Sequence, residues 1–526
     1  MTMSPLDFII EGCRVIDGTG APWFLADVGI AKDRIAQVGP LRDVPARRRI
    51  RADGLTLAPG LIDAHVHSEV VLLEDGIHEA ALYQGVTTHI VGQDGFGFAP
   101  TTPSTLTFMS AYLAPIYGNR PGFEPGGIGQ FLARFDGTST VNVATLAPLG
   151  CIRMNQLGNE NRAPSTRELE AMADECRRAM ADGAIGISSG LDYVPGCHAT
   201  TEELVCLARA IVPLRGIYVS HIRYISGFLD ALDEAISVGR QAVIPVHVSH
   251  LRPADGLSSA SLLRPIEDAR NEGIDVTFDT YPYAFGSTMA TYFLPSWALE
   301  GTIDDILLRL ADPAARDRIR HDIGLATSTW SDYQIAGRFD GEAAPLGGLD
   351  ILSAAQGADP VDFLCDLLIA RRLDVLILGT SKGRPGEDSE LMAMLRHPAH
   401  TVSSDGIFGS GRSHPRAYGA FARFLSFRPA GQDLTLEQAV CHATWAPARR
   451  FGLWDRGLVR PGYAADLFVF EEHTYRDEAT AADPRRPASG VQCVFVNGAA
   501  VLEEGQPTGL TPGRALRPAK HLYPSR

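Results

Sequence analysis

The stretch Ala58-Pro59-Gly60-Leu61-Ile62-Asp63-Ala64-His65-Val66-His67 decides the fold. Pro59-Gly60 punctuates the chain, and Leu61 to His67 then reads as a short buried strand. A period of two places His65 and His67 on one face, where their imidazoles can share one cation. Further short apolar runs follow near 87–92, 141–147, 184–189, 217–221, 243–250, 274–279 and 399–404. Several are continuous Val/Ile-rich runs, the texture of parallel strands covered on both faces. Helical spacing separates them, as in Thr166 to Asp182, Thr201 to Leu214 and Gly227 to Gly239. Eight such units over roughly 340 residues predict a (β/α)8 barrel of the TIM type.

The flanks differ in texture. Residues 1–58 read as short strands over 7–12, 13–18, 26–30 and 34–39, broken by Gly and Asp. Asp466 to Phe470 and Cys493 to Gly498 repeat the pattern near the other end. Edge strands need pairing or cover, so the two ends are expected to meet in one small β-sandwich. The expected division is 1–58 and 458–526 in the small β domain and 59–457 in the barrel. The strand-like run Asp374 to Gly379 exceeds the count of eight, and falls with much of 290–370 to an insertion. Glu478 to Ser489 is the most linker-like stretch.

In such barrels the working residues sit at the C-terminal ends of strands. The first strand ends in His65 and His67, the second in Asp94, the fifth in His221, the sixth in His250 and the eighth in Asp405. Taken singly, His-x-His is more often packing than a ligand pair, and Asp-Gly is an ordinary turn. Jointly, four histidines and two aspartates at strand ends form a ligand set for Zn²⁺ or a similar divalent ion. His89, His247 and His442 stand away from strand ends and read as core histidines.

Composition excludes other classes. The chain has 526 residues, 45% hydrophobic, with a net charge of −15, which disfavours nucleic acid and anionic membranes as partners. No apolar run is long enough for a membrane helix, and the start lacks a secretory pattern. Eight scattered cysteines without a Cys-x-x-Cys pair predict reduced, mostly buried thiols in a cytoplasm rather than a disulfide framework. Only three of the 47 basic residues are lysines (Lys32, Lys382 and Lys520).

The opening stretch resembles the first strand of the amidohydrolase superfamily, and Pro461 to Leu467 is similar to that family's return into its β domain. More narrowly, several segments resemble the D-aminoacylase (N-acyl-D-amino-acid deacylase) branch. They are Gly183 to Leu191 with Tyr193, Ser220-His221-Ile222-Arg223, Tyr281-Pro282-Tyr283 with Ser287, and His414 to Gly419. The resemblance implies hydrolysis of the amide bond of N-acyl-D-amino acids or related acylated amines and small peptides. It places metal ligands on His65, His67, His221, His250 and Asp405, with Asp405 also the catalytic base. Asp94 stands where the branch has a cysteine. No lysine lies between Lys32 and Lys382, so the carboxylated-lysine bridge of other members is excluded and Asp94 becomes the candidate shared ligand. A carboxylate there makes Mn²⁺ or another divalent ion more plausible beside Zn²⁺, at one or two ions per chain.

The same resemblance places Arg252, Tyr193, Tyr283 and Ser287 at substrate-pocket positions, with Arg223 and Arg416 as further candidates for holding a substrate carboxylate. An acidic residue expected soon after His-x-Arg is replaced by Tyr224-Ile225-Ser226. The alternatives are another C–N hydrolysis within the superfamily (a cyclic amide, imide or carbamate) and, more remotely, a non-catalytic scaffold.

Overall fold

The computed structural model describes residues 5–118, 122–253, 257–324, 327–336, 346–380, 387–409, 413–426 and 434–518. Parts of the expected insertion (337–345) and of the C-terminal tail (519–526) lie outside them.

Parallel strands lie close to the positions predicted, in three sheets. Leu61–Asp63, Val86–Val91 and Asn142–Thr145 form one. Ala147–Pro148, Ile187–Gly190, Tyr218–His221, Val246–Val248, Val276–Thr280 and His400–Val402 form the second in that order, and Val66–His67 pairs with Gly406–Ile407 in the third. All of these pairs are parallel. Backbone hydrogen bonds link the pieces, among them Ile185 N–H to Thr145 C=O at 2.9 Å and Ala64 N–H to Val402 C=O at 3.3 Å. The three sheets thus lie edge to edge without forming one continuous ladder.

Local chemistry explains the helices between. Thr166–Asp182 begins at Ser165, whose hydroxyl accepts from Glu168 N–H while the Glu168 carboxylate accepts from Ser165 N–H. This reciprocal cap satisfies two otherwise orphaned donors. The helix ends at Gly183 with φ 119°, a left-handed stop that glycine adopts without a Cβ penalty.

The terminal strands join in one nine-stranded sheet in which Leu467–Phe470 pairs with Thr56–Pro59. Where the sequence predicts two strands over 7–18, Leu6–Val15 is one strand with a register shift between Ile10 and Cys13. The Glu11-Gly12 pair has the texture of a turn but forms a bulge. Gly12, with φ 71°, interrupts the ladder without ending the strand. Both faces of the sheet are covered. Leu467 and Val469 pack with Ile10, Val28 and Ile35, whereas Phe468 and Phe470 pack into the large core of the parallel strands. The run Asp374 to Gly379 forms a strand at Leu376–Gly379, antiparallel to Ser287–Met289 and Tyr333–Ile335 and apart from the parallel strands.

Among the described residues no helix is long and apolar enough to cross a membrane. All eight cysteines are free. His89 bonds to Ser68 and His247 to Thr277 and Asp279 in the interior as read, whereas His442, against His400, is only half-buried.

A buried polar junction ties the two regions together. Arg456 pairs with Asp466, whose carboxylate also accepts from Asn142 Nδ2 at 3.1 Å and Asn497 N–H at 2.6 Å. Removing the carboxylate leaves the buried Arg456 guanidinium with only the Asp455 carboxylate at 3.6 Å and the Asn497 amide oxygen at 3.3 Å. Asp466→Ala is therefore expected to cost about 3–5 kcal/mol in urea unfolding; a loss under about 1 kcal/mol would show that the junction is not needed.

Candidate active site

The six strand-end residues converge. His65 Nε2 lies 3.5 Å from Asp94 Oδ2 and 3.8 Å from Asp405 Oδ1. His67 Nε2 lies 3.4 Å from Asp94 Oδ2 and 3.5 Å from Asp405 Oδ1. His250 Nε2 stands 3.6 Å from the other Asp94 oxygen and 2.9 Å from His221 Nδ1. Most of these gaps are too long for hydrogen bonds. They match ligand atoms around a shared cation, since tetrahedral ligands at about 2.1 Å from a metal lie about 3.4 Å apart. His65, Asp94 and His250 form one group of three, and His65, His67 and Asp405 another. Asp94 offers one oxygen to each side.

The buried atoms support this fit. Both ring nitrogens of His65 and Asp94 Oδ1 are sealed from solvent with no hydrogen-bond partner. An orphaned set of this kind is costly unless a cation satisfies it. Burial pushes the Asp94 carboxyl up, but His65 and His250 outweigh it and hold it well below the usual range. Burial likewise opposes charge on His65, and Asp94 outweighs it to lift His65 well above the ordinary imidazole value. For Asp405, burial is overcome by Arg416 and then His67, leaving it at about 2. Asp405 is thus an ionised carboxylate at neutral pH.

Backbone geometry aims these side chains. Asp94, His250 and Asp405 have φ of 56°, 37° and 46°, in the left-handed region that costs most residues some strain. Gly190 gives the Asp94 turn room, because a Cβ there would meet the Asp94 carbonyl oxygen at 2.0 Å. Carboxylates then stitch neighbouring strand ends together. Asp63 accepts from Ser404 N–H at 2.9 Å, Glu69 from Gly92 N–H at 2.9 Å, and Asp279 from His250 N–H at 3.1 Å.

One cavity opens over the cluster, lined by His67, Asp94, His221, His250 and Asp405. Arg252, Tyr193 and Ser287 also line it, as do the unforeseen Phe96, Tyr224 and Tyr292. The Tyr193 hydroxyl is 2.7 Å from Thr288 Oγ1, and Ser287 donates to Ile377 C=O at 2.9 Å. Arg416 does not line the cavity; it stands behind Asp405, Nη1 2.9 Å from Oδ2, with its guanidinium 4.5 Å over the Tyr281 ring. Two candidates are not brought in. Arg223 is held by Glu234 at 3.1 Å and by Cys197 C=O at 2.9 Å, and the Tyr283 hydroxyl donates to Asp477 at 2.7 Å.

The sequence reading missed three supporting groups. Asp192 sits 3.0 Å from His221 Nε2, Asp279 lies 3.8 Å behind His65 Nδ1, and Glu69 reaches His67 through Tyr117. Glu69 was within reach, because Asp63, His65, His67 and Glu69 continue a single period of two. Asp192 sits beyond its strand, where no period carries.

The amidohydrolase family profile matches residues 49–502. An N-acyl-D-glutamate deacylase of Alcaligenes xylosoxydans xylosoxydans is 34% identical over 97% of this chain and 96% of its own length. The crystal structure of an N-acyl-D-glutamate deacylase from Bordetella bronchiseptica, complexed with zinc and a phosphonate mimic of the tetrahedral intermediate, superposes with a TM-score of 0.81. It is 31% identical and covers 98% of this chain and 100% of its own. A D-aminoacylase structure described by its binuclear metal centre gives 0.79 at 31% identity, over 98% and 100% of the two chains.

The two-sided placement of Asp94 generates a test. Chelator-stripped protein is expected to take up divalent ion, and Asp94→Ala to lose more of it by metal analysis than His67→Ala. Equal retention in the two variants would remove Asp94 as the shared ligand.

Proposed function

The chain belongs to the amidohydrolase family, and on that premise we propose that it is a metal-dependent hydrolase of N-acyl-D-amino acids or closely related acylated amines. The observation that carries the reading is the sealed His65–Asp94 cluster, with its unpartnered ligand atoms, on the floor of a cavity that also holds an arginine. We place the site in a (β/α)8 barrel over 59–457, insertion included, beside a small β domain from 1–58 and 458–526 built on the one nine-stranded sheet. A cytoplasmic location fits its free thiols.

His65, His67, Asp94, His221, His250 and Asp405 would hold the ion or ions, zinc in the first instance. When bound, such an ion lowers the pKa of water and polarises the scissile carbonyl. The chain's own groups do the rest. Asp405, ionised and facing the cavity, accepts the proton of the attacking water and returns it to the departing nitrogen. Arg416 fixes that carboxylate in place through its ion pair.

Substrate orientation falls to the cavity wall. Arg252 lines the cavity and no described carboxylate pairs with it, so it is free to take the substrate's carboxylate in a forked contact. Gly286 leaves the space it occupies, since a Cβ there would come within 2.7 Å of Arg252 Nη1. Arg416, held behind Asp405, is left out of this contact. Phe96, Tyr193, Tyr224 and Tyr292 exclude water and give the acyl and side-chain groups an apolar surround.

Asp405→Asn is expected to lower kcat by at least about 100-fold in protein that still folds; near-normal turnover would remove Asp405 as the base. Arg252→Ala is expected to raise KM for carboxylate-bearing substrates far more than for neutral amides, and equal losses would show that it is not the anchor. A panel of N-acyl-D-amino acids, N-acyl-L-amino acids, cyclic amides and carbamates tests the reaction class. Preference for cyclic amides would overturn the reading.

A further inference from the structure

Glu69 is fully buried and pairs with no described cation, yet it lies two residues from His67. Its Oε1 accepts from Gly92 N–H at 2.9 Å and from the Tyr117 hydroxyl at 3.1 Å. The Tyr117 oxygen in turn lies 3.1 Å from His67 Nδ1, with the two rings nearly perpendicular at 83°. Neither Glu69 nor Tyr117 lines the cavity, so neither is placed to touch substrate.

Counting protons along this chain fixes its polarity. A hydroxyl carries one hydrogen, and here it is donated to the Glu69 carboxylate. The Tyr117 oxygen is left as an acceptor, so His67 must present its hydrogen at Nδ1. The lone pair of the neutral imidazole then sits at Nε2, the atom that faces Asp94 and Asp405. On the opposite side Asp192 contacts His221 Nε2 directly, which leaves Nδ1 facing His250. One histidine is braced by a carboxylate alone and the other by a carboxylate acting through a phenol.

We propose that Glu69 and Tyr117 are positioning residues that hold His67 as its Nδ1–H tautomer, and so strengthen the grip of the His65–His67–Asp405 side on a metal ion. The inference rests on reading the cluster as a metal centre. Such outer partners orient a ligating imidazole and raise its basicity, and their loss costs roughly 10–100-fold in metal affinity. Glu69 acts on His67 through these hydrogen bonds and also clamps the first strand end to Gly92, two residues before Asp94.

The test is a chelator competition on the full-length protein with Zn²⁺ and Co²⁺, following each bound ion and the visible spectrum of the cobalt form. In Tyr117→Phe one class of ion is expected to bind roughly 10–100-fold more weakly, with the other unchanged and the cobalt bands altered. Glu69→Gln keeps an oxygen for Gly92 N–H but removes the charge, and is expected to weaken the same ion. Adding Tyr117→Phe to it should then have little further effect. A lower unfolding midpoint with parental ion affinity in both single variants would overturn the proposal and leave only a packing role. Should Tyr117→Phe fail to fold, Glu69→Gln alone decides. If the parental protein binds no ion at all, the metal-centre reading fails together with this one; if it binds ions that the variants hold equally well, only this inference fails.

Discussion

The Asp94 carboxylate, buried among three imidazoles, is the constraint on which the site depends. Taking a carboxylate out of water is tolerated only with charge or hydrogen bonds on its oxygens. Oδ2 faces His65 and His67 and Oδ1 faces His250, so no single partner satisfies it. Several strands must deliver their ends to one point for this arrangement to exist. The parallel array does so because each strand's carboxyl end opens on the same face.

That convergence is enforced by more than the strands. Asp63, Glu69 and Asp279 each accept a backbone N–H from a neighbouring strand end, and Asp405 N–H donates to His65 C=O at 2.8 Å. These clamps cross between strands where the regular ladders have stopped. They hold Asp94, His250 and Asp405 in left-handed backbone conformations, which a free loop would relax. The strain and the clamps act together: each ligand is aimed by its backbone and braced from behind.

The balance of charges shapes the rest of the cavity. With almost all of its basic residues arginine, the chain meets carboxylates with planar forks rather than flexible ammonium groups. Arg416 pairs with Asp405, whereas Arg252 faces the cavity without a described carboxylate partner. Arg223 has the same chemistry but is absorbed by Glu234 and backbone carbonyls, which sequence spacing has no means to reveal.

The order of strands and helices, and which residue types end each strand, were legible in the sequence. Burial on both faces leaves continuous apolar runs, and turn residues mark where those runs stop. Period two likewise put His65 and His67 on one face without any coordinates. The sequence did not reveal that Tyr283 turns away to Asp477, that Arg416 backs Asp405, or that Tyr117 bridges Glu69 to His67. Periodicity reports which face of its own element a side chain occupies. Only the tertiary structure brings separate elements within about 3 Å of each other, and hydrogen-bond partners are chosen at that distance.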